Sequence, residues 1–178
     1  TKDAERGCTY EGDFVSGKRH GAGVFQDQWR TYEGGFDHDK FDGEGALKYK
    51  DEAEFESFWR IKVEEDVSAS GFAYTGQWRG GLRHGKGVAV WKNATYKGMW
   101  FNNAAHGRGE LAADGARVFC GNHGGRANLK IDGEWADGYL NRGVLTWELS
   151  RDHHASSRGD CVYMSYDGEF YLNSMSGT

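Results

Sequence analysis

The chain has 178 residues, among them 28 glycines, no proline and 15% aromatic residues, and its formal net charge is −5. This length suffices for one domain with a packed core, and the aromatic content argues against a disordered chain. The negative charge disfavours nucleic acid as a partner, because binding to phosphates needs a basic surface.

The cysteines point to a reducing environment. Cys8, Cys120 and Cys161 form no Cys-x-x-Cys pair, so we expect reduced thiols in a reducing, intracellular compartment. No apolar run approaches the roughly 18 residues of a membrane-spanning helix.

A five-residue pattern recurs along the chain: an aromatic residue, any residue, a small residue, any residue and a second aromatic residue. Most copies begin about 22 residues apart, and such a period indicates a repeat protein. The copies, some of them degenerate, occupy residues 10–14, 32–36, 55–59, 74–78, 96–100, 119–123, 131–135 and 166–170.

The spacing of two within each pattern predicts a β-strand, because alternate residues of a strand share one face. In residues 74–90 a turn rich in glycine and charge follows, and then a second strand that begins at Gly85-x-Gly87. The glycine of the pattern is expected to leave room between two rings. Each repeat is therefore predicted to be a β-hairpin, and the chain a meander of hairpins.

Three stretches depart from this rhythm. Residues 50–72 are rich in acids and alternate strictly around Trp59, which predicts an irregular or extended hairpin with a solvated acidic face. Residues 150–160 are polar and predict a surface loop. The last repeat, residues 166–178, lacks a matching second strand, so its sheet edge is expected to be covered or to pair with a partner.

These units resemble the MORN repeat (membrane occupation and recognition nexus), whose pattern is Tyr-x-Gly-x-Trp/Phe, a short turn, His-Gly-x-Gly and an apolar pair. Residues 74–90 fit nearly every position, whereas the copies at Phe55 and Phe119 depart from the pattern. The resemblance implies one all-β domain over residues 1–178. Its fold would be an elongated, single-layer antiparallel meander of about eight hairpins with a shallow groove.

The resemblance also implies a function. Proteins of this family are mostly non-catalytic and act in assemblies near membranes, cilia and cytoskeletal structures, or as accessory modules beside enzymatic domains. We therefore expect a scaffold or interaction subunit that binds other protein subunits, as a helix or an extended peptide.

Two parallel rows of aromatic residues are the predicted partner-binding surface. A single layer cannot fully bury its apolar face, so some ring surface should stay open, and tyrosine and tryptophan are frequent at binding hot spots. The alternative is that both rows form the core. The predicted surface comprises Tyr10, Phe14, Tyr32, Phe36, Trp59, Tyr74, Trp78, Tyr96, Trp100, Trp135, Tyr166 and Phe170.

The alternative function is weak contact with an anionic membrane surface. It would need a basic face, and the repeat register places five candidates in or near the turns of one sheet margin. They are Lys18, Arg19, Arg79, Arg83 and Lys86.

No residue is predicted to be catalytic, to bind a cofactor or to hold a metal ion. The stretch from Gly12 to Lys18 nearly matches a phosphate-binding loop, but Arg19 stands where that motif needs serine or threonine. His20, His84 and His106 are equivalent positions roughly 10 Å apart in successive repeats, which favours a structural role. Residues 152–161 concentrate histidine, aspartate and cysteine, and metal binding there stays open.

Overall fold

The computed structural model describes residues 7–50, 72–120, 123–149, 163–171 and 174–176. This part of the chain forms one antiparallel sheet of twelve strands whose order in space is their order in sequence, so the predicted single-layer meander is confirmed. The strands are β1 (Thr9–Val15), β2 (Lys18–Gln26), β3 (Arg30–Asp37), β4 (Lys40–Tyr49), β5 (Ala73–Arg79), β6 (Leu82–Trp91), β7 (Ala94–Phe101), β8 (Ala104–Cys120), β9 (His123–Ala136), β10 (Tyr139–Leu149), β11 (Tyr163–Tyr171) and β12 (Ser174–Ser176).

Two-residue turns close the hairpins. In each of them both residues have a positive φ, from 47° at His38 to 90° at Gly81, which is typical of the type I′ turn that suits the twist of paired strands. Glycine and asparagine adopt this conformation at little cost. The turns are 16–17, 38–39, 80–81, 102–103 and 137–138.

A line of glycines crosses the sheet from β1 to β11. Each glycine pairs directly with a glycine of the neighbouring strand, so the line has no gap between these strands. Its members are Gly12, Gly23, Gly34, Gly45, Gly76, Gly87, Gly98, Gly109, Gly133, Gly143 and Gly168.

The first tyrosine of a repeat lies across a pair of these glycines. Tyr74 covers Gly76 and Gly87, and a Cβ added to either glycine would come within 3.0 Å of it. This flat placement carries the hydroxyl to the backbone, where it donates to the Gln77 carbonyl at 3.0 Å. The glycine thus makes room for the tyrosine itself rather than for a gap between two rings. Equivalent hydroxyl bonds are made by Tyr10, Tyr32, Tyr96 and Tyr166.

Three of the second aromatic residues, Phe36, Trp78 and Trp100, pack edge-on between successive tyrosines. Trp100 contacts Tyr74 and Tyr96, with ring centroids 5.3 Å apart in both pairs. Its indole nitrogen donates to the carbonyl of Gly87 in the preceding repeat at 3.4 Å. Trp78 and Trp135 repeat this bond on Gly45 and Gly109. The rings therefore form one continuous row of edge-to-face contacts, a favoured aromatic geometry.

This packing buries most of the aromatic face. The tyrosines at 32, 74 and 96 are 0% exposed and Trp100 is 2% exposed. These four rings therefore follow the alternative that the rows form the core, and they contribute none of the open ring surface that was predicted for this face. Because the rings lie flat against the glycines and cover one another's faces with their edges, a single layer is enough to exclude water from them.

Backbone bonds tie each hairpin to the preceding one. The second turn residue donates its N–H to the carbonyl of a residue at the start of the preceding hairpin's second strand. The four bonds are Asp39 to Arg19 at 3.1 Å, Gly81 to Phe41 at 2.8 Å, Asn103 to Arg83 at 3.1 Å, and Gly138 to Ala105 at 2.9 Å. The turns therefore act as regular docking points between repeats.

The meander differs from the prediction in two places. The copy at Phe119 does not begin a new repeat. β8 and β9 are long strands that continue to pair with each other as far as Cys120 and His123. The last repeat has a short second strand after all, since β12 forms three residue pairs with β11. The described residues hold six hairpins. The predicted hairpin in residues 50–72 and the loop in residues 150–160 lie almost entirely outside the described part of the chain.

In the part of the chain that the structure describes, no helix is long and apolar enough to span a membrane.

Candidate functional site

The predicted partner-binding residues lie together on one side of the sheet, here called the aromatic face, but most of them form its core. Phe14 is 41% exposed and Tyr166 is half-buried, while Trp59 lies outside the described residues. The buried members are Tyr10, Tyr32, Phe36, Tyr74, Trp78, Tyr96, Trp100, Trp135 and Phe170. These side chains offer little surface that a partner could contact.

An open groove does exist on the aromatic face, over strands β2 to β6. Its volume is about 570 Å³, and it combines half-buried rings with cationic side chains. We call it the basic groove. It is lined by Arg19, Phe25, Arg30, Asp39, Lys40, Phe41, Leu47, Tyr49, Trp78, Gly80, Gly81, Arg83 and Asn103.

Arg83 forms part of the floor of the basic groove. It is 4% exposed, and its guanidinium lies 5.2–5.9 Å from the centroids of four rings. Contacts of this kind between a guanidinium and ring faces stabilise a buried cation. The rings belong to Phe72, Tyr74, Trp78 and Trp100.

Arg19, in β2, holds the equivalent place two hairpins earlier. Its guanidinium lies over Phe25 at 5.0 Å and Phe36 at 5.4 Å, and it contacts the Asp39 carboxylate at 3.2 Å. The backbone N–H of Arg19, helped by its side chain, donates to that carboxylate and lowers the pKa of Asp39. Asp39 is therefore a stable anion that fixes Arg19 at the rim.

Arg30 and Lys40 complete the positive charge of the basic groove. Arg30 approaches the Asp27 carboxylate at 3.2 Å and lies 5.9 Å from the Phe41 ring centroid. Lys40 begins β4 and is exposed. Four cations thus line the groove against one carboxylate, that of Asp39.

The sequence reasoning missed most of this groove. Phe25 and Tyr49 belong to second strands, whereas the prediction concentrated on first strands. A signal was present, because each second strand carries an apolar residue in register with a tyrosine, such as Phe25 opposite Tyr32.

The predicted lipid-binding cations do not form one surface. Arg83 is buried and Arg19 lies on the aromatic face. Strand alternation directs Lys18, Arg79 and Lys86 to the opposite face. These cations flank the turns at residues 16–17 and 80–81, so they share one margin of the sheet as predicted, but strand alternation divides them between its two faces. Lipid binding by these residues stays a prediction.

The opposite face has a groove of its own, of about 780 Å³. Its three cations are Lys86 in β6, Lys97 in β7 and Arg108 in β8. Three carboxylates, from Glu44, Glu110 and Asp132, balance them in the same groove.

His84 packs against Phe101 of the next hairpin, whereas His106 packs against the same ring within its own hairpin. The rings of His84 and His106 lie 5.2 Å and 5.6 Å from the Phe101 ring. His20 differs, because its Nδ1 lies 3.3 Å from an Asp37 carboxylate oxygen. The near match to a phosphate-binding loop spans β1, a turn and the start of β2. Residues 152–161 lie outside the described part, so the question of metal binding there stays open.

Comparison with known proteins identifies the repeats. The family model of the MORN repeat matches residues 10–29, 32–53, 74–95 and 96–117. The chain is also similar to Alsin from Rattus norvegicus, with 26% identity over 184 aligned positions. That alignment covers 94% of this chain and 10% of Alsin, so the chain spans about one tenth of the length of that relative.

Proposed function

Because this chain is a MORN-repeat protein, we propose that it is a non-catalytic scaffold that holds a segment of a partner protein in the basic groove. MORN repeats in general suggest a module for interaction with proteins or membranes. The proposal narrows that role to one face, one groove and one kind of partner.

The observation that carries the proposal is the composition of the basic groove. Phe25, Phe41 and Tyr49 present half-buried rings. The four cations of the groove outnumber the two carboxylates that contact them, those of Asp39 and Asp27, so the groove is positive. Rings and arginines together are typical of binding hot spots. We expect a helix or an extended peptide with apolar anchors flanked by aspartate or glutamate.

The groove on the opposite face is a weaker candidate for the partner-binding site. Its three cations and three carboxylates balance, and Val88 and Met99 are its larger apolar side chains. It offers neither rings nor an excess of one charge to select a partner.

Site-specific photocrosslinking in cells tests the proposal. A photoreactive phenylalanine analogue replaces Tyr49 in the basic groove or, as the control, Val144 on the opposite face, which is 41% exposed. The Tyr49 position should yield one recurrent partner that Val144 does not. The double variant Arg30→Gln with Lys40→Glu should remove that product.

Three outcomes would contradict this function. One is a product that forms equally from both positions, and another is a product that survives the charge change. The third is binding to anionic vesicles at physiological salt in place of a protein, which would favour the membrane alternative.

Two further aspects of the function belong to the same proposal. A partner strand that pairs with the β12 edge would extend the sheet. The alignment with one tenth of Alsin raises the alternative that the chain is an accessory module of a larger protein. We place the assembly in a reducing compartment, at a cytoskeletal, ciliary or organelle-associated site. The free thiol of Cys8 agrees with this location.

A further inference from the structure

Three metal-ligand side chains meet at the junction of the first two hairpins. His20 lies in β2, Asp37 ends β3, and His38 is the first residue of the β3–β4 turn. One donor atom from each residue lies within 4.8 Å of the other two. The Nδ1 atoms of His20 and His38 lie 3.3 Å and 2.6 Å from the same Asp37 oxygen.

We propose that His20, Asp37 and His38 bind a divalent transition-metal ion, for which Zn²⁺ is the probe. Two imidazoles and a carboxylate suit Zn²⁺ and its first-row neighbours. Ligands about 2.0–2.2 Å from a tetrahedral ion lie about 3.3–3.6 Å from one another. The pair of His20 and Asp37 already has this separation.

Only a small adjustment is needed to admit the ion. The bond of 2.6 Å between His38 and Asp37 must open by less than about 1 Å for both atoms to coordinate. These side chains are 43–69% exposed, so they can move and the ion has access from solvent. Water would occupy the remaining coordination position.

The turn that carries His38 is held in place by its neighbours. Asp39 donates its N–H to the Arg19 carbonyl at 3.1 Å, and its carboxylate accepts from the Arg19 N–H at 2.9 Å. The Arg19 guanidinium also donates to the Asp39 carbonyl at 2.9 Å. Since Arg19 immediately precedes His20, these bonds hold the two histidines side by side.

The donor set is specific to this junction among those that the structure describes. At the junction of β6 with β7, His84 meets Phe101 and Asn102, which occupy the places of Asp37 and His38. At the junction of β8 with β9, Ala136 and Asp137 occupy those places beside His106. Among the junctions that the structure describes, three metal-ligand side chains therefore come together only at this one.

The charge around the three residues is mixed, so the donor geometry carries the proposal. Asp13 is the direct cross-strand partner of His20 on the side away from Asp37, and Lys40 is the direct partner of Asp37. A bound ion would bridge β2 and the β3–β4 turn, and would therefore fasten the first hairpin to the second.

Zn²⁺ titration of the purified chain by calorimetry tests the site. The wild type should bind one ion at this junction with micromolar affinity. The substitutions His20→Gln and His38→Asn should each weaken it at least about tenfold, because one of three ligands is lost. His106→Gln is the matched control, a histidine at the equivalent repeat position, and it should bind as the wild type does.

A second control separates this site from the ligand-rich segment at residues 152–161. The double variant His153→Ala with His154→Ala should leave the binding at His20 intact. Asp37→Asn keeps the size of the side chain and guards against an effect of misfolding, and it too should weaken binding. The site is overturned if the wild type shows no saturable Zn²⁺ binding, if His20→Gln and His38→Asn bind normally, or if only the variant in residues 152–161 loses the ion.

Discussion

At the scale of single residues, the glycines of the central line that lie beside a tyrosine have a specific task. The tyrosine ring needs the place that a Cβ would take, and its hydroxyl reaches a carbonyl three residues on only because the ring lies flat. Any side chain at these positions would lift the ring, open its contacts with the tryptophans and break its hydrogen bond.

Gly87→Ala should therefore destabilise the protein by about 2–3 kcal/mol, the range expected for an overpacked core. The added methyl would meet the Tyr74 ring, which cannot retreat without leaving Trp78 and Trp100. Urea unfolding measures the change. Gly43→Asn is the control, because Gly43 has open space around it and a φ of +75°, which asparagine tolerates. A cost for Gly87→Ala no larger than that of the control would contradict the packing scheme.

The buried tyrosines also predict how stability depends on pH. Burial is the main cause that raises the pKa values of Tyr32, Tyr74 and Tyr96 well above 10. Asp42 adds to the rise at Tyr32, while at Tyr74 the Arg83 charge opposes it and Glu44 adds a smaller rise. Above pH 10 the unfolded chain loses these protons while the folded chain keeps them. The free energy of unfolding should therefore fall as the pH rises, by about 1.4 kcal/mol per pH unit for each tyrosine.

Urea unfolding between pH 8 and pH 11.5 checks this prediction. Below pH 9 the three hydroxyls should contribute no slope, since both states hold their protons. Tyr74→Phe should reduce the slope of this decline above pH 10 by about 1.4 kcal/mol per pH unit, because one titrating hydroxyl is lost. A free energy of unfolding that stays level up to pH 11.5 would mean that the hydroxyls are accessible in the folded state.

The sequence shows which residues share a strand face, but not how a side chain lies on it. Alternation placed Tyr74, Gly76 and Trp78 together correctly. The flat placement of Tyr74 depends on the glycine in the neighbouring strand, Gly87, and on a backbone carbonyl within reach. Both are properties of the pairing register rather than of the five-residue pattern.

At the scale of elements, the turn-to-strand bonds couple successive hairpins. At one junction Asn103 donates its N–H to the Arg83 carbonyl, and its side-chain oxygen accepts from the Arg83 N–H at 2.9 Å. Asp39 makes the same two bonds with Arg19 at an earlier junction. Asn103 and Asp39 therefore make the same pair of bonds between a turn and the preceding hairpin in two repeats.

Asn103→Ala should cost about 2 kcal/mol, because it removes the acceptor of a buried N–H and places alanine at a φ of 68°. Asn103→Asp should cost less than the alanine, since it keeps the acceptor, although it places a carboxylate at a position that is only 7% exposed, whereas Asp39 is exposed. Thermal unfolding of the two variants gives the comparison. Equal losses would show that the bond to Arg83 does not couple the hairpins.

Hairpins were predictable wherever the repeat is intact, and less so where it is not. Pairs such as Gly80–Gly81 and Asn102–Asn103 are typical of type I′ turns, but His38–Asp39 is not, and its left-handed backbone depends on the bonds to Arg19. The Phe119 copy resembled a new repeat, yet the strand continues past Ala113 with a shift in register. A pattern of five residues cannot distinguish a new hairpin from the extension of an old one.

At the scale of the whole molecule, one layer of strands makes its own core. The expectation of an open aromatic face came from the general rule that a sheet needs a second layer. Rings that lie flat on glycines and meet edge to face fill that role here. The candidate interaction surface therefore shifts from the buried rows to the basic groove, where half-buried rings and cations remain accessible.

A direct comparison of Trp100→Ala with the double variant Arg30→Gln and Lys40→Glu tests this division between core and groove. Urea unfolding and the photocrosslinking yield from position 49 are measured on both. Loss of the buried Trp100 should lower the free energy of unfolding by about 3–5 kcal/mol. The groove variant should change it by no more than about 0.5 kcal/mol and abolish the crosslink. A stable Trp100→Ala protein that has lost its partner, beside a groove variant that retains it, would contradict the account.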